Sequence, residues 1–360
     1  CCHSHGSVRS HLLCDSYQKG IESHFMKHIL VTGGCGYIGC HTVKKLLSEE
    51  WLPVVIDDLS TSSPEFIEAV GVPFAKGRIG DDRFVSEILR RYPIEGVIHL
   101  AASAYVEESM LDPGKYYENN VKESSAFFQI LIQHGIKKLV HSSSCAVYGN
   151  PLVLPIVETA ARIPISPYGE SKVLVEKQLA DVAKSGHIAS ISLRYFNAAG
   201  ADPNGEIGES HQPETHLIPR ILQSISQRKG SLVINGTDYA TPDGTCIRDF
   251  VHVCDLAKAH VQALNVLSSR HVNWSAINLG SGAAKSVREI VAIIERVTGE
   301  KVAYKSGVRR PGDPASLYAD TTLAAKLLNW SPDYDVEDCI RHAWQWEKKM
   351  VCDVRPGKKS

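Results

Sequence analysis

Two groups of residues have the types and spacing that chemistry needs. Tyr168-Gly169-Glu170-Ser171-Lys172 sets a phenol and an amine four positions apart at the start of a helical pattern, so both side chains share one face. An ammonium beside a phenol favours the phenolate, which predicts a tyrosine pKa lowered toward the working pH and a proton acceptor in Tyr168. Ser142-Ser143-Ser144 ends an apolar run, and a hydroxyl there could bridge a substrate oxygen and the tyrosine. The second group is Thr32-Gly33-Gly34-Cys35-Gly36-Tyr37-Ile38-Gly39, in which Gly33, Gly36 and Gly39 are spaced Gly-x-x-Gly-x-x-Gly. Such a run supplies a tight turn, close backbone approach to a pyrophosphate, and room for a helix to pack on a sheet. The helix that follows offers free N–H groups and its positive end to phosphates. Asp57 ends the next apolar run about 20 residues further on, where a carboxylate can accept from an adenosine ribose. Asp58 beside it would repel a ribose phosphate, which favours NAD over NADP.

These groups must be held by elements that the hydrophobic pattern outlines. Short apolar runs at 28–32, 53–56, 73–75, 96–101, 138–141 and 189–195 alternate with amphipathic stretches. Strands that are apolar throughout, separated by helices, predict a parallel sheet covered on both faces, a doubly wound α/β fold of Rossmann type. The serines then stand on the carboxyl edge of the sheet, where this fold binds ligands. After Asn197 the texture changes to a loop rich in Gly and Pro, a helical pattern, and a short strand at 232–234. Strand-then-helix returns at 249–267, one more core strand follows at 276–279, and helices are predicted at 287–297, 322–328 and 336–348. The predicted organisation is a Rossmann domain from residues 26–196 and 249–283, with a smaller, sequence-interleaved substrate lobe from 197–248 and 284–350. Residues 1–25 read as an extension without fixed structure and 351–360 as a tail.

Bulk composition narrows the classes. The 360 residues carry 39 Lys plus Arg against 40 Asp plus Glu, which leaves no positive excess to attract nucleic acid or an anionic membrane. No apolar run is long enough to span a bilayer. The ten cysteines are scattered, several in apolar stretches, as expected of thiols in a reducing cytosol. The polar start, Cys1-Cys2-His3-Ser4-His5, lacks paired ligand spacing, so no metal site is expected.

The glycine run, Ser142-Ser143-Ser144-Cys145-Ala146-Val147-Tyr148-Gly149 and Pro167-Tyr168-Gly169-Glu170-Ser171-Lys172 resemble the extended short-chain dehydrogenases. Leu193-Arg194-Tyr195-Phe196-Asn197-Ala198-Ala199-Gly200, Asp243-Gly244-Thr245-Cys246-Ile247-Arg248-Asp249-Phe250 and Arg309-Arg310-Pro311-Gly312-Asp313 narrow the resemblance to the UDP-glucose 4-epimerase family. The resemblance implies that Tyr168 removes the sugar 4-hydroxyl proton, that Ser144 shares it, and that Lys172 holds the nicotinamide ribose. The C4 hydride passes to NAD⁺, the 4-keto sugar turns over, and the hydride returns to the other face. Besides Gly33, Gly36 and Gly39, the implied cofactor contacts are Tyr37, Ile38, Asp57, Asp58, Ile79, Leu100, Ala101, Asn119 and Phe196, with Tyr168 and Lys172. The implied UDP-sugar contacts are Ser144, Asn197, His216, Leu217, Arg248, Arg310 and Asp313. Arginine forks suit diphosphate oxygens, and Asp313 could accept from ribose hydroxyls. The family also implies a homodimer through 116–133 and 168–183.

Some positions depart from the family pattern. Arg78 stands where an aspartate usually meets adenine, Ala104 at a frequent lysine, Glu107 at a usual glycine, and Asn235 at an aromatic that stacks on uracil in some members. Leu317 occupies the position that limits sugar size. Several blocks are also similar to UDP-arabinose 4-epimerases, so UDP-glucose/UDP-galactose, UDP-pentose and UDP-N-acetyl-sugar substrates all stay open. A sugar-nucleotide dehydratase would need a carboxylate pair after the serines, where Cys145-Ala146-Val147 stands instead. A non-catalytic NAD-binding protein would not need the Tyr/Lys pair.

Overall fold

Ile29, Leu30 and Val31 are fully buried, and a strand sealed on both faces has to lie inside a covered sheet. The computed structural model describes residues 27–211, 213–227, 232–269, 272–310 and 313–354, and sets this strand in a sheet of seven parallel strands. In chain order they are His28–Thr32, Leu52–Asp57, Phe74–Lys76, Ile94–His99, Lys138–Ser144, Ala189–Tyr195 and Trp274–Leu279. In space the order is seventh, sixth, fifth, fourth, first, second, third. The connections therefore reverse direction between the first and fourth strands, which opens a crevice at their carboxyl ends.

Each face of the sheet has its own core. Val43 and Leu46 of the Tyr37–Ser48 helix share one with Leu256, Val261 and Leu264 of the Val253–Ser269 helix. On the other face the Asp82–Arg91, Glu123–Gln133 and Pro167–Lys184 helices contribute Val85, Ile88, Phe127, Leu131, Val175 and Leu179. The smaller lobe packs Ile218, Ile221 and Leu222 against Ile290, Ile294 and Ile340. Its Leu232–Asn235 strand runs parallel to Tyr304–Gly307.

Four expectations need correction. The fourth strand ends at His99, so Leu100 and Ala101 lie in the loop beyond it. Residues 116–133 are not one regular helix: a π-helical turn, Tyr117–Lys122, precedes the Glu123–Gln133 helix. Residues 322–330, assigned above to the small lobe, pack instead with the dinucleotide-type domain, because Ala324, Leu328 and Trp330 belong to the core under its sheet. The last helix continues to Val354, past the boundary drawn at 350. The expected extension, 1–25, and the end of the tail lie outside the described residues.

Candidate functional site

Thr32 ends the first strand and the chain turns at Gly33, whose φ of +71° suits glycine. A Cβ on Gly33 would lie 2.6 Å from the Ala101 nitrogen, and one on Gly39 would lie 2.2 Å from the Gly33 oxygen. The fold itself forbids side chains at both. Gly36 differs: a Cβ there would meet only the Gly33 oxygen, at 3.4 Å, and no side chain caps the helix that starts at Tyr37. Open backbone N–H groups with a bare glycine in front of them form a cradle for a diphosphate.

Asp57 does more than end its strand. One carboxylate oxygen accepts from the Cys35 N–H at 3.0 Å and the other from the Leu59 N–H and the Ser62 hydroxyl, each at 2.9 Å, so the side chain pins the glycine turn. Burial raises its pKa from the ordinary carboxylate value. Asp58 accepts from the Ser60 N–H and faces Arg78 at 3.6 Å. Arg78 also pairs with Glu123 at 2.9 Å and donates to the Asn119 carbonyl oxygen at 3.2 Å. Ile79 is buried among Val85 and Phe127, in the core beneath this corner.

The reacting corner lies on the carboxyl edge. Ser144 ends the fifth strand, and its hydroxyl accepts from the Ala146 N–H at 3.2 Å. Tyr168 is in the first turn of the Pro167–Lys184 helix, capped by Ser166, whose hydroxyl accepts from the Gly169 N–H. Lys172, one turn on, is also buried; its Nζ donates to the Ser142 carbonyl at 2.7 Å and sits 5.8 Å from the Tyr168 ring centre. The sequence thus brings Tyr168, Lys172 and Ser144 together, but its expectation of an acidified phenol is overturned. Burial pushes Tyr168 up to about 12, and the hydrogen bond with Ser144 opposes that rise. Burial also lowers Lys172 to about 8, against the pull of Glu176. Desolvation outweighs the help that Ser144 gives the ionised form.

Residues not singled out from the sequence hold this corner. Asn120, in the π turn, donates to the Ser171 hydroxyl at 3.0 Å and the Ser103 carbonyl at 2.9 Å, which ties the tyrosine helix to the loop after the fourth strand. Its neighbour Asn119, already named as an implied cofactor contact, donates to the Ser103 hydroxyl at 3.1 Å. Glu176 is fully buried and receives Ser143 at 2.6 Å, Arg194 at 2.7 Å and Arg162 at 3.0 Å. Its place on the face of Tyr168 and Lys172, four residues beyond Lys172, was the available signal.

On the lobe side, Asn197 starts a short strand beside Phe250–His252, directly after the buried Phe196. Arg248 ion-pairs with Asp313 and stands opposite Leu317 in the register of a three-stranded sheet. Arg310 is exposed, and Arg309 is paired off with Asp238 at 2.8 Å. His216 and Leu217 stand at the start of the Leu217–Ser226 helix, and the His216 ring is turned to Glu214 at 2.8 Å.

Residues 29–280 match the model of the NAD dependent epimerase/dehydratase family. The chain belongs to that family. A UDP-glucose 4-epimerase of Halalkalibacterium halodurans is 43% identical over 322 residues, which cover 89% of this chain and 96% of the relative. The structure of a UDP-glucose 4-epimerase from Brucella ovis in complex with NAD superposes with a TM-score of 0.86 at 45% identity, over 89% of this chain and 98% of that one. That of a UDP-glucose-4-epimerase from Stenotrophomonas maltophila, with bound NAD and formylated UDP-arabinopyranose, gives 0.87 at 36% identity, over 91% and 99%. Among the described residues no helix is long and apolar enough to cross a membrane. In this epimerase/dehydratase chain the glycine turn and the tyrosine corner both stand at the carboxyl end of the sheet, after the first and fifth strands.

Proposed function

We propose that the chain is an NAD-dependent UDP-sugar 4-epimerase that interconverts UDP-glucose and UDP-galactose. The observation that carries the reading is the joining of buried Tyr168 to Ser144 and Lys172 on the sheet edge that also holds the open Gly36 cradle. Gly33, Gly36, Tyr37, Ile38 and Gly39 would hold the pyrophosphate side of NAD, with Asp57, Asp58 and Asn119 toward the adenosine and Lys172 toward the nicotinamide ribose. When bound, NAD accepts the C4 hydride and gives it back. Tyr168 takes the 4-hydroxyl proton and returns it, Ser144 shares the hydrogen bond, and the charge on Lys172 steadies the phenolate. Arg248, Arg310 and Asp313 hold the UDP moiety, with Asn197, Leu217 and His216 beside the sugar and phosphates.

A second substrate reading has its own support: several blocks resemble UDP-arabinose 4-epimerases, and the Stenotrophomonas protein carries a UDP-pentose derivative. Incubation of the purified protein with UDP-galactose, UDP-N-acetylgalactosamine and UDP-xylose, with products resolved by chromatography, separates the readings. UDP-glucose formed from UDP-galactose is the expected result, and conversion of UDP-xylose alone would replace it by the pentose reading. Tyr168→Phe should cut turnover by ~100-fold or more while NAD stays bound.

Two further properties belong to this reading. Val106, Met110, Leu111 and Tyr117 are exposed apolar residues beside the Tyr168 helix, and a homodimer through that face would cover them. The described cysteines are free, most of them buried, in keeping with a cytoplasmic enzyme.

A further inference from the structure

The loop that leads into the Leu217–Ser226 helix holds four side chains that epimerisation as proposed does not require as a set. Glu209, His211, Glu214 and His216 each turn one donor atom toward a common point, all within 4.8 Å of one another. The carboxylates are deeply buried, with side-chain exposures of 8% for Glu209 and 4% for Glu214. Glu214 Oε1 accepts from the backbone N–H of His216 at 2.6 Å and meets its Nδ1 at 2.8 Å. Glu214 Oε2 is buried with no partner, and His211 Nδ1 lies against Glu209 without hydrogen-bond geometry.

An orphan carboxylate oxygen inside a protein costs about 1–3 kcal/mol or more, and two buried carboxylates side by side repel each other. Protons shared with the imidazoles would relieve the repulsion but still leave Glu214 Oε2 without a donor. A cation answers both problems. Two imidazole nitrogens and two carboxylate oxygens form a borderline donor set that suits zinc and its neighbours better than calcium or magnesium. Tetrahedral bonds of about 2.1 Å put donor atoms roughly 3.4 Å apart, so the widest pairs would close by little more than an ångström while the direct His211–Glu209 and His216–Glu214 contacts would open to admit the ion. The His216 side chain is 46% exposed and gives an ion its way in.

We propose that Glu209, His211, Glu214 and His216 bind one divalent ion of zinc type in a structural site. The Trp346 indole donates to the Glu209 carbonyl at 2.9 Å, and the Tyr105 ring meets His211 edge-on at 5.7 Å. The ion therefore fastens the loop between the last helix and the segment after the fourth strand. It also fixes the start of the helix that carries Leu217. His216 reaches the ion through Nδ1, so any contact with a UDP-sugar is left to Nε2.

The test uses the full chain, stripped with chelator, reloaded with zinc chloride and desalted, with metal counted by mass spectrometry. Cysteines and histidines elsewhere in the chain can take up zinc loosely, so the informative quantity is a difference. Wild type should retain one more zinc per chain than a His211→Ala/Glu214→Gln double variant, and zinc should raise the melting temperature of wild type alone. Equal zinc content in both proteins, each folded by circular dichroism, overturns the site. Should the double variant fail to fold, cobalt(II) added to wild type decides. Intense tetrahedral d–d bands without thiolate charge transfer support the site, whereas charge-transfer bands alone or no bands refute it.

Discussion

A buried phenol with its pKa near 12 is a poor base near neutrality, so the groups that bring it down set the pH dependence. Ser144 is one of them, and its hydrogen bond favours the ionised form. A rate that needs phenolate climbs with pH until Tyr168 ionises. Removing the bond in Ser144→Ala raises that pKa, so the rising limb of kcat/KM should move to higher pH as well as fall, with Ser144→Thr restoring its position. A limb that stays in place while the rate drops would show that Ser144 positions substrate only. Lys172 bears the opposite cost: held near 8 against an ordinary value of 10.5, it makes the unfolded state the better proton binder between those values. Its contribution to stability therefore rises as pH climbs from about 8 toward 10.5.

At the scale of elements, the glycine turn separates what folding needs from what a ligand needs. Gly39→Ala forces a Cβ against the Gly33 carbonyl and should lower the melting temperature sharply, whereas Gly36→Ala should melt near wild type and purify with less NAD. Calorimetry paired with a nicotinamide assay on both variants checks this, and equal destabilisation would remove the distinction. Glu176→Ala would strand Arg194, 2% exposed, in the interior and should cost about 3–5 kcal/mol in denaturant unfolding. Much of this was legible in the sequence. The first and sixth strands and the Tyr/Lys face could be read because apolar runs and a four-residue spacing are local signals. Asn120 and the π turn could not, because their bonds to Ser103 and Ser171 join segments that only the fold brings together. Glu209, His211, Glu214 and His216 lie in a loop without periodicity, so their spacing alone could not show that they converge. The phenol was misjudged because proximity to a charge can be read from spacing, while depth of burial cannot.

For the molecule as a whole, Leu111 is 84% exposed and Met110 51%, on a helix beside the Tyr168 face. Wild type should sediment as a dimer and a Met110→Glu/Leu111→Glu double variant as a monomer. Wild type that sediments as a monomer would leave this patch without its proposed occupant. The late arrival of the seventh strand has a different kind of consequence. The sixth strand, Ala189–Tyr195, waits for Trp274–Leu279 as its outer neighbour, and the described chain between them adds no strand to this sheet. During synthesis the sheet would expose a raw hydrogen-bonding edge until that late segment clears the ribosome, a window in which nascent copies could zip together. Slowing translation just before codon 274 should therefore reduce the soluble yield, whereas the same delay placed after codon 340, once Trp274–Leu279 has emerged, should not.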